Sequence, residues 1–467
     1  MVTHEVKSHA SSMRERDDAQ LQRMGKKPAL KRNFGLLSIL GFSCTILGTW
    51  EGLLGTFTGP LRNGGSGGAI YAFIFGWVGT FASFMVLAEL ASMAPTSGGQ
   101  YHWAAMLAPP KHMKFISFVT VGGKILPRAG VVLLVMHIVG FFGVLIPLVY
   151  MAKHNTKEQV FLSFHNGGGF KTQGLSWFVG MTTCAFAFGG DDAAVHMAEE
   201  IANASKVIPQ SLMLSVGING CLGFGILIAT MFCTGPDLGG KLGDITGYPY
   251  MGIFLEATNS VSGSLVMSAI IFVIYVSAFL GLLATTSRQL GSFSRDRGVP
   301  GWRLWSRISA SRQLPIPALI ASVTIAWLLA MIRIGSDVAM EDIVSMAVSA
   351  IYLSYLLVSI LLFVRRIRGD ISLYNDSEDE IINVPGAKLV WGPFRCPGIL
   401  GTIVNGYAII YITIIIFFSF WPSTMDPTIA TMNWSVLAIG GAMFFAILYY
   451  IFHARHVYTG PIVEVSL

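Results

Sequence analysis

Two pairs of adjacent carboxylates, Asp191-Asp192 and Glu199-Glu200, sit in the stretch SWFVGMTTCAFAFGGDDAAVHMAEEIANAS from Ser176 to Ser205. The stretch opens as an apolar, aromatic-rich span. Gly189-Gly190-Asp191-Asp192 break it, and a short helix is expected over Ala193 to Ile201. An ionised side chain at mid-bilayer depth costs roughly 2.5–3.5 kcal/mol on insertion scales, so acids kept there line a pathway, pair with a partner or carry a proton. Glycine tolerates the unwound backbone that a break needs, and broken helices persist at membrane depth only against protein or a wet cavity. Neither half spans alone, which favours a broken span over a loop between two short helices. Ile46-Leu47-Gly48-Thr49-Trp50-Glu51-Gly52 is a second interruption of the same kind, with Glu51 beside glycines. His137 lies midway along the apolar run Ala129–Met151. Imidazole titrates near physiological pH, so this histidine either relays a proton or stays neutral and bonds to a neighbouring helix.

The elements that hold these residues follow from composition. Of 467 residues 53% are hydrophobic and 12% charged, and the mean hydropathy is +0.63. This excludes a string of soluble domains and marks an all-α polytopic membrane protein. The 52 glycines suit closely packed or interrupted helices. Lys and Arg number 31 against 25 Asp and Glu; the resulting +6 lies in loops and reads as topology, not nucleic-acid binding. Cysteines 44, 184, 221, 233 and 396 show no paired spacing, so neither a disulfide framework nor a metal site is expected. The polar first 33 residues show no signal-peptide pattern, and the first span is expected to act as the insertion signal.

In order, residues 1–33 read as a disordered tail and residues 34–453 as the membrane domain, with a short tail at 454–467. Span 1 covers Phe34 to Phe57 and span 2 Ala69 to Met93, with Glu89 near its end. Residues 104–128 hold one apolar run, Phe115 to Val121, far short of the roughly 20 residues a crossing needs. Ala129–Met151, the broken central span, Pro209–Cys233, Ser264–Thr286, Pro317–Ile334, Asp342–Val364, Gly398–Trp421 and Trp434–His453 complete ten expected spans, with an amphipathic segment near Tyr250–Ala257. With both termini in the cytoplasm, Arg288, Arg295, Arg297, Arg303, Arg307, Arg312, Arg365, Arg366 and Arg368 all fall inside, as the positive-inside rule asks.

Three motifs carry a resemblance. Glu89-Leu-Ala-Ser-Met-Ala-Pro-Thr-Ser-Gly-Gly-Gln-Tyr-His-Trp103 is similar to the signature after the second helix of the amino acid–polyamine–organocation (APC) superfamily. Ala198-Glu199-Glu200-Ile201 with Val207-Ile208-Pro209 resembles that superfamily's sixth helix and following loop. Thr286-Ser287-Arg288 with Phe293, Arg295-Asp296 and Gly298-Val-Pro300 resembles its motif after helix eight. The nearest look is the fungal amino acid/choline transporter group that includes GABA permeases. The resemblance implies twelve helices, the first ten forming inverted five-helix repeats (5+5, the APC/LeuT-type fold) around broken helices 1 and 6. This chain departs from that pattern between Trp103 and Lys124, where helices 3 and 4 would stand; Thr120 runs straight into Val121-Gly-Gly-Lys-Ile-Leu-Pro-Arg128. About ten helices remain, and a wall of the site is expected to be missing.

The resemblance also assigns roles. Thr45, Gly48 and Thr49 are candidates to hold a substrate carboxylate at half-helix N-terminal amides, or else form a packing face. Ala187, Phe188, Gly189 and Gly190 offer carbonyls to an ammonium group, and Phe186 or Phe188 an aromatic wall, with core packing as the alternative. Asp191 or Asp192 pairs with the amine or carries a proton; Asp192 fits a helix N-cap equally well. Glu199 and Glu200 belong to a cytoplasmic gate or to a solvated helix end, and His137 to proton coupling. Thr285 and Thr286 stand where sodium-coupled relatives bind a cation, a weaker reading here.

The expectation is a secondary transporter for an amino acid or amine such as GABA or choline, coupled to protons rather than Na+, without cofactor, in the plasma or vacuolar membrane. No P-loop and no nucleophile–base–orienter set is found, so no enzyme is expected. The competing expectation is a non-transporting sensor, or an inactive truncated isoform or gene-model product, that regains function when about two roughly 20-residue spans and their connections are restored at Thr120–Val121.

Overall fold

A computed structural model describes residues 17–19, 21–24, 32, 34–56, 58–119, 130–235, 248–309, 315–335, 337–373, 381–429 and 431–461. In hydrocarbon every backbone N–H and C=O needs an internal partner, so apolar runs of this length close on themselves as helices. The first, α1 (Leu36–Leu47), is seeded at Gly35, whose N–H is accepted by the Ser38 hydroxyl at 3.1 Å, and ends at Gly48; α2 (Thr49–Thr56) continues it. Then come α3 (Thr58–Met93), kinked at Gly65, and two short helices, α4 (Gln100–Leu107) and α5 (Met113–Val119). After α6 (Gly130–Met151) the central span is cut into α7 (Gln173–Gly180), α8 (Thr182–Phe186) and a 3-10 helix, Asp191–Glu200. The longer helices that follow are α9 (Ala204–Cys233), α10 (Pro249–Thr258), α11 (Val261–Arg295), α12 (Ile316–Gly335), α13 (Asp337–Arg368), α14 (Gly398–Ser419) and α15 (Ser435–Tyr449). A two-residue parallel ladder, β1 (Ile371–Ser372) with β2 (Leu389–Val390), folds the segment between α13 and α14.

Among the described residues eight helical stretches are long and apolar enough to cross a membrane, Leu36–Thr56 counted across its break, and Ile316–Ile332 is a shorter apolar helix. Length and apolarity alone do not reach the expected ten, because the central span is divided into pieces too short to count and Ile316–Ile332, the counterpart of the expected Pro317–Ile334, falls short. The bundle is all-helical: α9 lies along α3 and α1, α6 packs on α1, and α13 pairs with α14. Small residues set the closest approaches. A Cβ on Gly220 of α9 would stand 1.9 Å from the Trp77 ring, and one on Gly79 of α3 2.1 Å from Tyr411 of α14.

Several expectations need correcting. The tail at 1–33 is not disordered in its described part: residues 17–19 and 21–23 are helical, and Leu21 and Met24 are buried. Met24 is apolar enough to sit in the core, while Asp17 Oδ2 accepts from the Asn203 N–H at 2.9 Å and Arg23 O from the Ile382 N–H at 2.9 Å. The tail at 454–467 also docks in part: the Tyr458 ring is buried and its hydroxyl lies 2.6 Å from that of Ser117. Burial pushes the Tyr458 phenol well above its ordinary value. The span expected to end at Thr286 runs on to Arg295, so Arg288 and Arg295 are helix residues rather than loop charges. Arg366 is likewise no loop charge. It is buried against Glu89, with Trp391 4.7 Å beneath its guanidinium. The Thr120–Val121 junction lies outside the described residues.

Candidate functional site

The two interruptions meet. At Gly48 the backbone turns left-handed, φ 45°, a conformation that strains residues with a Cβ. The N–H of Thr49 then lacks a helical acceptor and donates to Asn219 Oδ1 of α9 at 3.2 Å. The Thr49 hydroxyl is buried without a partner, whereas the Thr45 hydroxyl donates to Gly41 O of its own helix at 2.8 Å. In the central span the left-handed residue is Gly190, φ 104°, not Gly189. The turn before it uses the carbonyls of Ala185 and Phe186, which accept from the N–H groups of Phe188 and Gly189. Ala187 packs on Gly52, where a Cβ would lie 3.7 Å from its Cα, and a Cβ on Gly190 would lie 3.5 Å from Ile46. The first break is thereby pressed against the second.

A polar run crosses between them. Ser215 of α9 donates to Asp191 Oδ2 at 2.6 Å, and Asn219, one turn further along α9, donates to Ser215 O at 3.1 Å while accepting from Thr49. Asp191 is fully buried. Asp192 points elsewhere: Gln100 Nε2 of α4 donates to its Oδ2 at 2.7 Å, and His196 Nε2 is 3.7 Å away. It is not an N-cap. Gly190 occupies the cap position and the 3-10 helix begins at Asp191, so the expected helix Ala193 to Ile201 starts earlier and is more tightly wound.

Phe188 is buried with its ring centroid 5.1 Å from that of Phe73, which is core packing, while Phe186 is half-buried beside the turn. Gly48 and Gly189 are the half-exposed positions of otherwise buried breaks.

Glu199 and Glu200 end the 3-10 helix against α11. Arg288 Nε lies 2.8 Å from Glu200 Oε1, Arg295 Nη2 lies 3.9 Å from Glu199 Oε1, and the Ser97 hydroxyl bonds to Glu199. Phe34 N–H donates to Glu200 O at 3.2 Å and Ala202 N–H to Phe34 O at 3.1 Å, so the start of the first span is stitched to this end. Glu200 is buried, which contradicts a solvated end for it. Nearby, the Tyr101 hydroxyl donates to Asp296 Oδ2 at 2.8 Å; burial first, and Asp296 second, hold that phenol well above its ordinary value, so it stays a donor. Thr285 donates to Gly281 O within α11 at 2.8 Å, which leaves its hydroxyl proton committed to the helix.

His137 of α6 and Glu51 of α2 are both buried, with Nδ1 2.6 Å from Oε1. Sequence reading flagged each alone and missed the pair. It also missed Ser215, Asn219 and Gln100; the signal was there for the first two, polar residues four apart on an otherwise apolar span. Arg288 and Arg295 stood in the quoted motif, but only the fold shows them facing Glu200 and Glu199.

Residues 115–444 match the family model described as Amino acid permease. Among curated relatives, an amino-acid permease of Arabidopsis thaliana is 26% identical over 95% of this chain and 96% of its own length. A choline transporter of Saccharomyces cerevisiae is 25% identical over 90% and 81%, and amino-acid permease 2 of Neurospora crassa 23% over 97% and 90%. The first of these alignments runs over 516 positions against the 467 residues of this chain, so within it the relative carries residues that this chain lacks.

Proposed function

Because the chain belongs to the amino acid permease family, and is an integral multi-pass membrane protein, we propose that it carries a small amino acid or related amine, such as GABA or choline, across the membrane by alternating access, driven by protons. The observation that supports this most is the meeting of the two breaks, Gly48–Thr49 against Ala187–Gly190, with Asp191 buried between them. Asymmetric ends are what an amino acid needs: a partial positive charge and a free hydroxyl at Thr49 for its carboxylate, turn carbonyls and Asp191 for its ammonium. The Thr49 amide is held by Asn219, so the hydroxyl is the donor that a substrate would meet. Both termini face the cytoplasm in this reading, in the plasma or vacuolar membrane, and Glu199 and Glu200 with Arg295 and Arg288 close the inner mouth.

Alternating access then requires the ion pairs at that mouth to part while the breaks stay together around the substrate. The test is uptake of radiolabelled amino acids, GABA and choline by cells lacking their own permeases, alongside equilibrium binding to the purified chain. Saturable uptake supports the reading. Binding without uptake supports a second one, a non-transporting sensor or truncated isoform, which draws on the half-exposed Gly48 and Gly189 and on relatives whose alignments outrun this chain.

A further inference from the structure

Glu51 and His137 lie outside the polar run that joins the breaks, yet both are buried in the bundle, at 1% and 0% exposure. Their facing atoms, Oε1 and Nδ1, are 2.6 Å apart; their outer atoms, Glu51 Oε2 and His137 Nε2, are buried without partners. The Trp50 ring lies 6.0 Å from the His137 ring and is itself backed by Phe141, 6.1 Å from Trp50. A group that only held α2 to α6 would not need two unmet polar atoms, since leaving such atoms buried is destabilising.

We propose that Glu51 and His137 form one proton-binding site, coupled to the break at Gly48. One proton is shared along the Nδ1–Oε1 contact, giving the pair a net charge of minus one. A second, taken from water, lands on His137 Nε2, leaving an imidazolium beside the Glu51 carboxylate, and neutralises the pair without opening the Nδ1–Oε1 contact. Loading and release both need a path to water, so the pair's occupancy follows its access to solvent. The link to the break is geometric: a Cβ on Gly48 would stand 3.6 Å from Glu51 Oε2, so the outer oxygen faces the turn. Movement there changes what the Glu51 carboxylate meets, and by linkage the pair's protonation biases the movement.

The other titratable groups around the pair come from four elements. Tyr275 of α11 donates to the Glu51 carbonyl at 2.8 Å, with Tyr250 and Tyr248 beyond it towards α10. Cys44 of α1 and Asp191 of the 3-10 helix stand on the side of the breaks. Asp191 and Glu51 both act on Cys44 between them, and this inference rests on the transport reading for its purpose but not for its chemistry.

The test has two arms. In the purified chain, Trp50 reports on the imidazole because a protonated imidazole quenches a neighbouring indole. The difference in emission between wild type and Trp50→Phe is followed over roughly pH 4 to 9, the range in which carboxylates and imidazoles titrate. One quenching step on acidification is expected, absent in His137→Gln and displaced in Glu51→Gln. No step, or a step unchanged in His137→Gln, overturns the site, and the wild-type comparison stands even where a variant fails to fold. In cells, uptake of whichever labelled compound proves saturable should rise with external acidity in wild type. In Glu51→Gln and His137→Gln that rise should be lost while counter-exchange of the same compound persists. A wild-type pH dependence in both variants overturns the coupling. Absence of any uptake by wild type refutes the transport reading instead, and the fluorescence arm alone then decides the proton site.

Discussion

Adjacent aspartates in a break invite one explanation for both, but their partners separate them. Asp191 accepts from Ser215 on α9 and belongs to the run that reaches Thr49, whereas Asp192 accepts from Gln100 on α4 and sits near His196. Asp191→Asn should therefore raise the apparent KM for uptake at least tenfold, about 1.4 kcal/mol, with little change in melting temperature. Asp192→Asn should convert a charge-assisted bond into a neutral one and lose about 1 kcal/mol of stability, with KM close to wild type. Uptake kinetics and thermal melting of both variants check this, and matching effects would show the two acids to be interchangeable. The sequence suggested that the pair would differ, one acid facing substrate or proton and the other capping the short helix, and that cap is taken by Gly190 instead. The sequence could not show which acid faces substrate or proton, because that choice rests on Ser215 and Gln100, brought in by α9 and α4 from opposite sides.

At the scale of elements the breaks were legible and their details were not. Glycine beside an acid inside an apolar run marks an interruption, and Gly48 is one, but in Gly189-Gly190 two glycines compete and only the fold decides between them. The left-handed residue is Gly190, φ 104°; Gly189 has ordinary backbone. Holding a residue with a Cβ in such a conformation costs of order 1–3 kcal/mol. Gly190→Ala should thus lower the melting temperature and uptake more than Gly189→Ala, whose Cβ meets only Phe186 O at 3.2 Å and Ile351 at 4.0 Å. The opposite order would place the break one residue earlier. Composition likewise averages a polar segment, and it did not show that Leu21 and Met24 dock individually into the core.

For the whole molecule, the helical membrane bundle and the family follow from hydropathy and three motifs. The count of spans does not, because a span cut at Gly180 and again at Gly190 leaves no single long helix and Ile316–Ile332 is a shorter one. Gly48 and Gly189 are the half-exposed positions of the two breaks. Inserting about 60 residues at Thr120–Val121, enough for two roughly 20-residue spans and their connections, should raise uptake per molecule at the cell surface well above that of the chain as it stands. Equal uptake would show that the wall is already complete. The most direct measurement of the central claim, that substrate is held where the two breaks meet, compares saturable uptake of radiolabelled amino acids, GABA and choline by wild type and by Gly48→Leu at equal surface amounts. The account predicts saturable uptake by wild type and loss of both uptake and substrate binding in Gly48→Leu, with membrane insertion intact. Uptake by Gly48→Leu with wild-type affinity would contradict it.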